Sequence, residues 1–153
     1  MEITLLTPEE GILAYFEKAM TEELPEIMKT IIEEQGEIWV EEISEINSID
    51  NQSSRLPNAI MTISKVKKKT VDINFTKEEY LLNMTITFRD NKQRVIGYRY
   101  NYLINKLIKT STSISKSADR IIIEEMEYRQ NKRGDDREPA SIILKIIITK
   151  ETS

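Results

Sequence analysis

Residues 80–108, YLLNMTITFRDNKQRVIGYRYNYLINKLI, decide the fold of this chain. Leu82, Met84, Ile86 and Phe88 are apolar and alternate with Asn83, Thr85 and Thr87. Period-two alternation predicts a strand with one face buried and one face wet. Arg89-Asp90-Asn91-Lys92 then interrupts the pattern with turn chemistry. Beyond it the period becomes helical, with Ile96, Tyr100, Leu103, Ile104 and Leu107 on one stripe. The stretch predicts a strand, a tight turn and one long helix, about 94–109.

Working outward, Thr7-Pro8-Glu9-Glu10 predicts a helix start, with Thr7 as cap, Pro8 at the first turn and Glu10 closing a capping box. Ile12, Leu13, Phe16 and Met20 form its stripe. Thr21 and Pro25 predict a kink or a fresh start, because proline disfavours helical backbone at the residue before it. Ile27, Met28, Ile31 and Ile32 make a second stripe that stops at Gly36. A first strand is expected over 37–46, led by Ile38-Trp39-Val40, with Trp39 in the core or its rim. A polar loop, 47–57, leads to a strand over 58–66. Lys65, Lys67, Lys68 and Lys69 follow as a solvated strand edge, with nucleic-acid contact a minor alternative. Val71, Ile73 and Phe75 suggest a short strand or an extended arm. On the other side of the long helix, 110–117 reads as a flexible Ser/Thr connection. Strands are expected over 120–130 and 140–150, joined by the charged loop 131–139. Ile143 and Ile147 on the second face of the last strand place it centrally or against partners on both sides.

The expected fold class is therefore α+β: a mostly antiparallel sheet of four to six strands, with N-terminal helices and the long helix packed on it. One domain over 1–153 is expected, with a helical part over 1–36 and sheet plus helix over 37–153.

Composition narrows the chemistry. The 153 residues contain no Cys and no His, so disulfides and any His-based triad within one chain are excluded. Only four Gly are present, and no phosphate-cradling loop, dinucleotide fingerprint or nucleophile elbow occurs. Asp135, Asp136 and Glu138 are the one dense acidic loop group, but Arg133 and Arg137 among them compete with any cation. No cofactor, metal or catalytic residue is expected. No apolar run approaches the roughly 20 residues of a membrane helix, and the acidic N-terminus does not resemble a signal peptide, so an intracellular product is expected. The net charge of −4 hides an asymmetry: residues 1–50 hold 14 acids and two bases, whereas 51–153 hold 12 acids and 20 bases. That division suits packing of an acidic helical layer beside a basic sheet, or docking of one charged end on a partner.

The order of elements resembles the tail terminator, or tail completion, proteins of long-tailed bacteriophages. The matching features are the N-terminal helix, Leu56-Pro57-Asn58-Ala59-Ile60-Met61 leading into a strand, the alternating Tyr80–Phe88 followed by Arg89-Asp90-Asn91-Lys92, the helix bearing Tyr100-Asn101-Tyr102-Leu103, and the final hairpin from Ile121 to Ile148. The resemblance implies a non-enzymatic virion assembly protein that forms a hexameric ring on the tail tube. Its implied partners are copies of itself, the tube and the head connector. DNA would pass through the lumen, no membrane is involved, and assembly takes place in the host cytoplasm. Expected contact residues are Lys67, Lys68, Lys69, Arg94, Tyr98, Arg99, Tyr102, Arg133, Asp135, Asp136 and Arg137. The main alternative is an inhibitor whose acidic helices imitate nucleic acid. A small enzyme or ligand-binding module is disfavoured by the missing His and Cys.

Overall fold

The computed structural model describes residues 7–36, 39–47, 56–72, 74–89, 94–129 and 139–152. Helix α1 (Pro8–Lys18) begins as its sequence predicts, with the Thr7 hydroxyl accepting from the Glu10 amide at 3.2 Å. The disturbance expected near Pro25 is present, just before it. One wide π turn, Ala19–Glu23, joins α1 to α2 (Leu24–Gln35), with the Leu24 amide bonded to the Ala19 carbonyl. Ile12, Phe16, Met20, Leu24 and Met28 are all buried and stand at strict four-residue spacing. In a straight α-helix that spacing would drift about 40° per step around the axis. The wide turn takes up the drift and keeps the stripe on the core. Gly36 ends α2 in the left-handed conformation, φ 75°.

The sheet has the order β1-β2-β3-β5-β4, from strands β1 (Glu45–Asn47), β2 (Asn58–Asp72), β3 (Phe75–Phe88), β4 (Arg120–Arg129) and β5 (Ala140–Thr152). The fold is α+β, but the sheet is mixed: β1 runs parallel to β2, while the other three pairings are antiparallel. Of the segment expected as a first strand, 37–46, the described residues pair only at Glu45 and Ile46, with Asn47 completing β1. Its described part before Glu45 is irregular, and Val40 and Ile43 are buried there without strand pairing. The expected short strand around Val71 does not form separately. β2 and β3 instead make one long hairpin, turned where the Asp72 carboxylate accepts from the Asn74 amide at 2.7 Å.

Tyr80, Leu82, Met84, Ile86 and Phe88 of β3 and Ile142, Leu144, Ile146 and Ile148 of β5 point to one buried face. Helix α3 (Val95–Thr110) packs on it through Tyr100, Leu103, Ile104 and Leu107. β5 lies centrally, as its two-sided apolar pattern predicts. On the second face Leu81, Ile147 and Ile122 stand side by side, and Ile122 is 42% exposed.

Residues 110–117 are not a loose connection. After α3, Ser111 caps a one-turn helix α4 (Thr112–Ser115), and Ile114 is fully buried. The turn is pinned from afar by Glu23, whose carboxylate accepts from the Ser111 hydroxyl at 3.1 Å and the Thr112 amide at 3.0 Å. Burial pushes the Glu23 pKa up, but hydrogen bonds from Ser113, Ser111 and Thr112 together hold it below the usual 4.5. A lowered carboxyl pKa means that the stabilisation is present above the unfolded value and is lost as pH falls through the folded one. Glu23→Gln should therefore cost about 1 kcal/mol near neutral pH, a cap-sized loss in a largely hydrated setting. Urea melts of the two proteins should converge as pH falls below the ordinary glutamate range.

Candidate functional site

The outer flanks of the sheet are the first candidate surface. β1 covers β2 only at Asn58–Ile60, so among the described residues the outer edge of β2 from Met61 to Asp72 has no strand partner. This edge carries Lys65, Lys67, Lys68 and Lys69, all exposed, with Val66 at 57% exposure between them. A register shift between Lys65 and Lys67 sets Lys67 across from Glu79, Lys68 across from Glu78 and Lys69 across from Lys77. Lys65 Nζ lies 3.4 Å from the Glu78 carboxylate. Glu78 also accepts from the Tyr80 hydroxyl, and that bond, against burial and with the help of Lys65, holds its pKa down.

At the opposite flank β4 is also unpaired on its outer side among the described residues. Here Glu124, Glu125 and Glu127 occupy the middle of the strand between Arg120 and Arg129. A register shift between Ile123 and Glu125 leaves Glu124 out of the ladder. Glu125 pairs with Lys145 at 3.2 Å and Glu127 with Arg129 at 3.3 Å, and all four side chains stay well exposed. The chain thus has a basic open edge and an edge that is acidic at its centre, with the width of the sheet between them.

The second surface is the outer side of α3. Tyr98 and Tyr102 are each 52% exposed, and Lys106 lies with its Nζ 6.0 Å from the Tyr102 ring centre. Tyr102 meets Trp39 edge-on, centroids 5.6 Å apart. Arg99, one of the expected contact residues, is committed internally: it donates to the Trp39 carbonyl at 2.7 Å and lies 5.3 Å over the indole. Arg94 precedes α3 in the left-handed conformation, φ 74°, with its guanidinium 5.0 Å over the Tyr128 ring. Arg133, Asp135, Asp136 and Arg137 lie outside the described residues, so the structure brings together Tyr98 and Tyr102 on one face and Lys67, Lys68 and Lys69 on another.

Sequence reading misses a third surface. Between α2 and the irregular segment at Val40–Glu42 runs a groove of about 480 Å³, floored by Met28, Ile32 and Val40. It escapes detection because Val40 reads as strand and Ile32 as core, whereas Ile32 is 36% exposed. No helix among the described residues is long and apolar enough to cross a membrane, and none of their acidic side chains group as a metal site.

Compared with known proteins, the chain matches no family model and no curated protein.

Proposed function

We propose that the chain is a structural protein that assembles into a ring, of the tail terminator type, closing the end of a tail tube and facing a head connector. What supports this reading is the pair of unlike open edges. An unpaired strand is a template for another strand. β2 offers Met61–Asp72 and β4 offers Arg120–Arg129, so the two are similar in length, the first rich in lysine and the second carrying three glutamates between two arginines. They cannot meet within one chain. Contact between β4 of one copy and β2 of the next is heterologous and closes into a ring when the rotation permits. Weak contacts repeated round such a ring add as avidity.

The test is a charge exchange. Wild-type protein added to growing tail tubes should stop them short and appear as rings on their ends by electron microscopy. The triple variant Lys67→Glu, Lys68→Glu, Lys69→Glu should lose ring formation, at about 1–3 kcal/mol per contact from like-charge cross-strand pairs. Mixing it with Glu124→Lys, Glu127→Lys should restore rings, because the two proteins can alternate with matched edges. Unchanged tube length and no ring with wild-type protein would overturn the reading.

A further inference from the structure

The groove on α2 and the tyrosine face of α3 are neighbours, and Trp39 joins them. Trp39 packs with Met28, Ile32 and Val40 on one side and against Tyr102 on the other. An apolar hollow therefore has an aromatic face as its neighbour. The two halves differ in charge. Glu33, Glu41 and Glu42 rim the hollow, against one base, Lys29. The aromatic face has Tyr98 and Tyr102 followed by Lys106 and Lys109, and Val95–Thr110 contains no acid at all.

We propose that this surface is a two-fold interface with a second copy of the chain, in which the exposed Tyr98 and Tyr102 side chains of each copy, the ridge, enter the Met28–Ile32–Val40 groove of the other. Two features commit it to that occupant. An acid-rimmed half beside a basic half becomes charge-complementary to itself after a two-fold rotation, because residue i then meets j while j meets i. The ridge also has the composition of an interface centre, exposed tyrosines bordered by polar residues, and the groove has the apolar floor that such anchors require. A helix face laid in a hydrophobic groove is a recurrent mode of recognition. This contact uses neither sheet edge, so it is independent of the proposed ring.

Light scattering and sedimentation over a concentration series test it. Wild-type protein should show a monomer–dimer equilibrium that weakens about tenfold or more as salt is raised, since charge steers the two halves together. Ile32→Glu in the groove and Tyr98→Glu on the ridge should each weaken dimerisation by about 100-fold or more, because each damages both symmetry-related contacts. Mixed together they should form a heterodimer tighter than either homodimer, since one contact joins the undamaged ridge of the first to the undamaged groove of the second. Circular dichroism checks that each variant folds. If Ile32→Glu does not fold, Glu33→Lys, exposed on the rim of the groove, takes its place and should weaken the dimer about tenfold. The triple Lys67, Lys68, Lys69 reversal should dimerise like wild type, which separates this contact from the ring. A wild-type protein that stays monomeric throughout overturns the proposal. So do variants that dimerise as tightly as wild type, or a mixture no tighter than its components.

Discussion

Tyr100→Ala should destabilise the protein by about 3–5 kcal/mol, the range for removing a buried aromatic side chain. Tyr100 is 1% exposed and packs its ring 5.3 Å from that of Phe88, joining α3 to the end of β3. Its hydroxyl donates to the Glu41 carbonyl at 2.6 Å, which fastens the irregular segment before β1 to the helix. The alanine variant therefore loses both packing and the partner of a carbonyl. Tyr100→Phe keeps the ring and loses only the hydrogen bond, so its cost should be about 1–1.5 kcal/mol. Denaturant melts of the pair separate the two contributions. Burial, and secondly Glu41, push the Tyr100 hydroxyl pKa above its ordinary value of 10. Spectroscopic titration of the folded protein should accordingly show one tyrosine fewer ionising in the usual alkaline range in wild type than in an unfolded control, beyond any contribution from Tyr80, which is also pushed up by burial and by Glu78.

Gly97→Val should cost a further large amount, about 1–3 kcal/mol or somewhat more, through overpacking. Gly97 is a buried position of α3 that faces the sheet. A Cβ placed there would stand 3.0 Å from the Tyr128 ring and 3.1 Å from Ile142. Ile142 sits in a central strand and cannot yield. Tyr128 is on edge strand β4 but is covered by the Arg94 guanidinium. The displaced ring must lift β4 or break the Arg94 stack. The alanine variant should be milder, since only the Cβ has to be accommodated and alanine favours helix over glycine. Thermal melts rank the three proteins, and loss of β4 order in amide exchange would locate the strain.

Much of the fold is legible in the sequence because local pattern and tertiary burial agree. The alternation of Leu82 to Phe88, the stripe of α3 and the Thr7 cap all survive into the structure. The same is true of Ile143 and Ile147 marking β5 as central. The readings that fail are those where a distant element decides. Trp39-Val40 is apolar because it lies between α2 and α3, not because it pairs in a sheet; Arg99 reaches the Trp39 carbonyl across 60 positions of chain. Ser111 and Ser113 read as linker until Glu23, 88 residues earlier than Ser111, is seen to hold that turn. The lysine run suggests the end of a strand, yet the strand continues through it, since long lysine stems tolerate an open edge. Of the contact residues, helical period alone exposes Tyr98 and Tyr102, whereas the groove on α2 is formed by two segments whose adjacency no local pattern encodes.

The unlike flanks of the sheet also give any assembly joined through them a direction. Two β2 edges brought together would set lysine against lysine, and two β4 edges would set glutamate against glutamate, so only dissimilar flanks have reason to join. A row of subunits joined this way points like an arrow, with a basic end and an acidic end that are never equivalent. Such a row has no natural stopping point while it is straight, and closure is the one arrangement that leaves neither end bare.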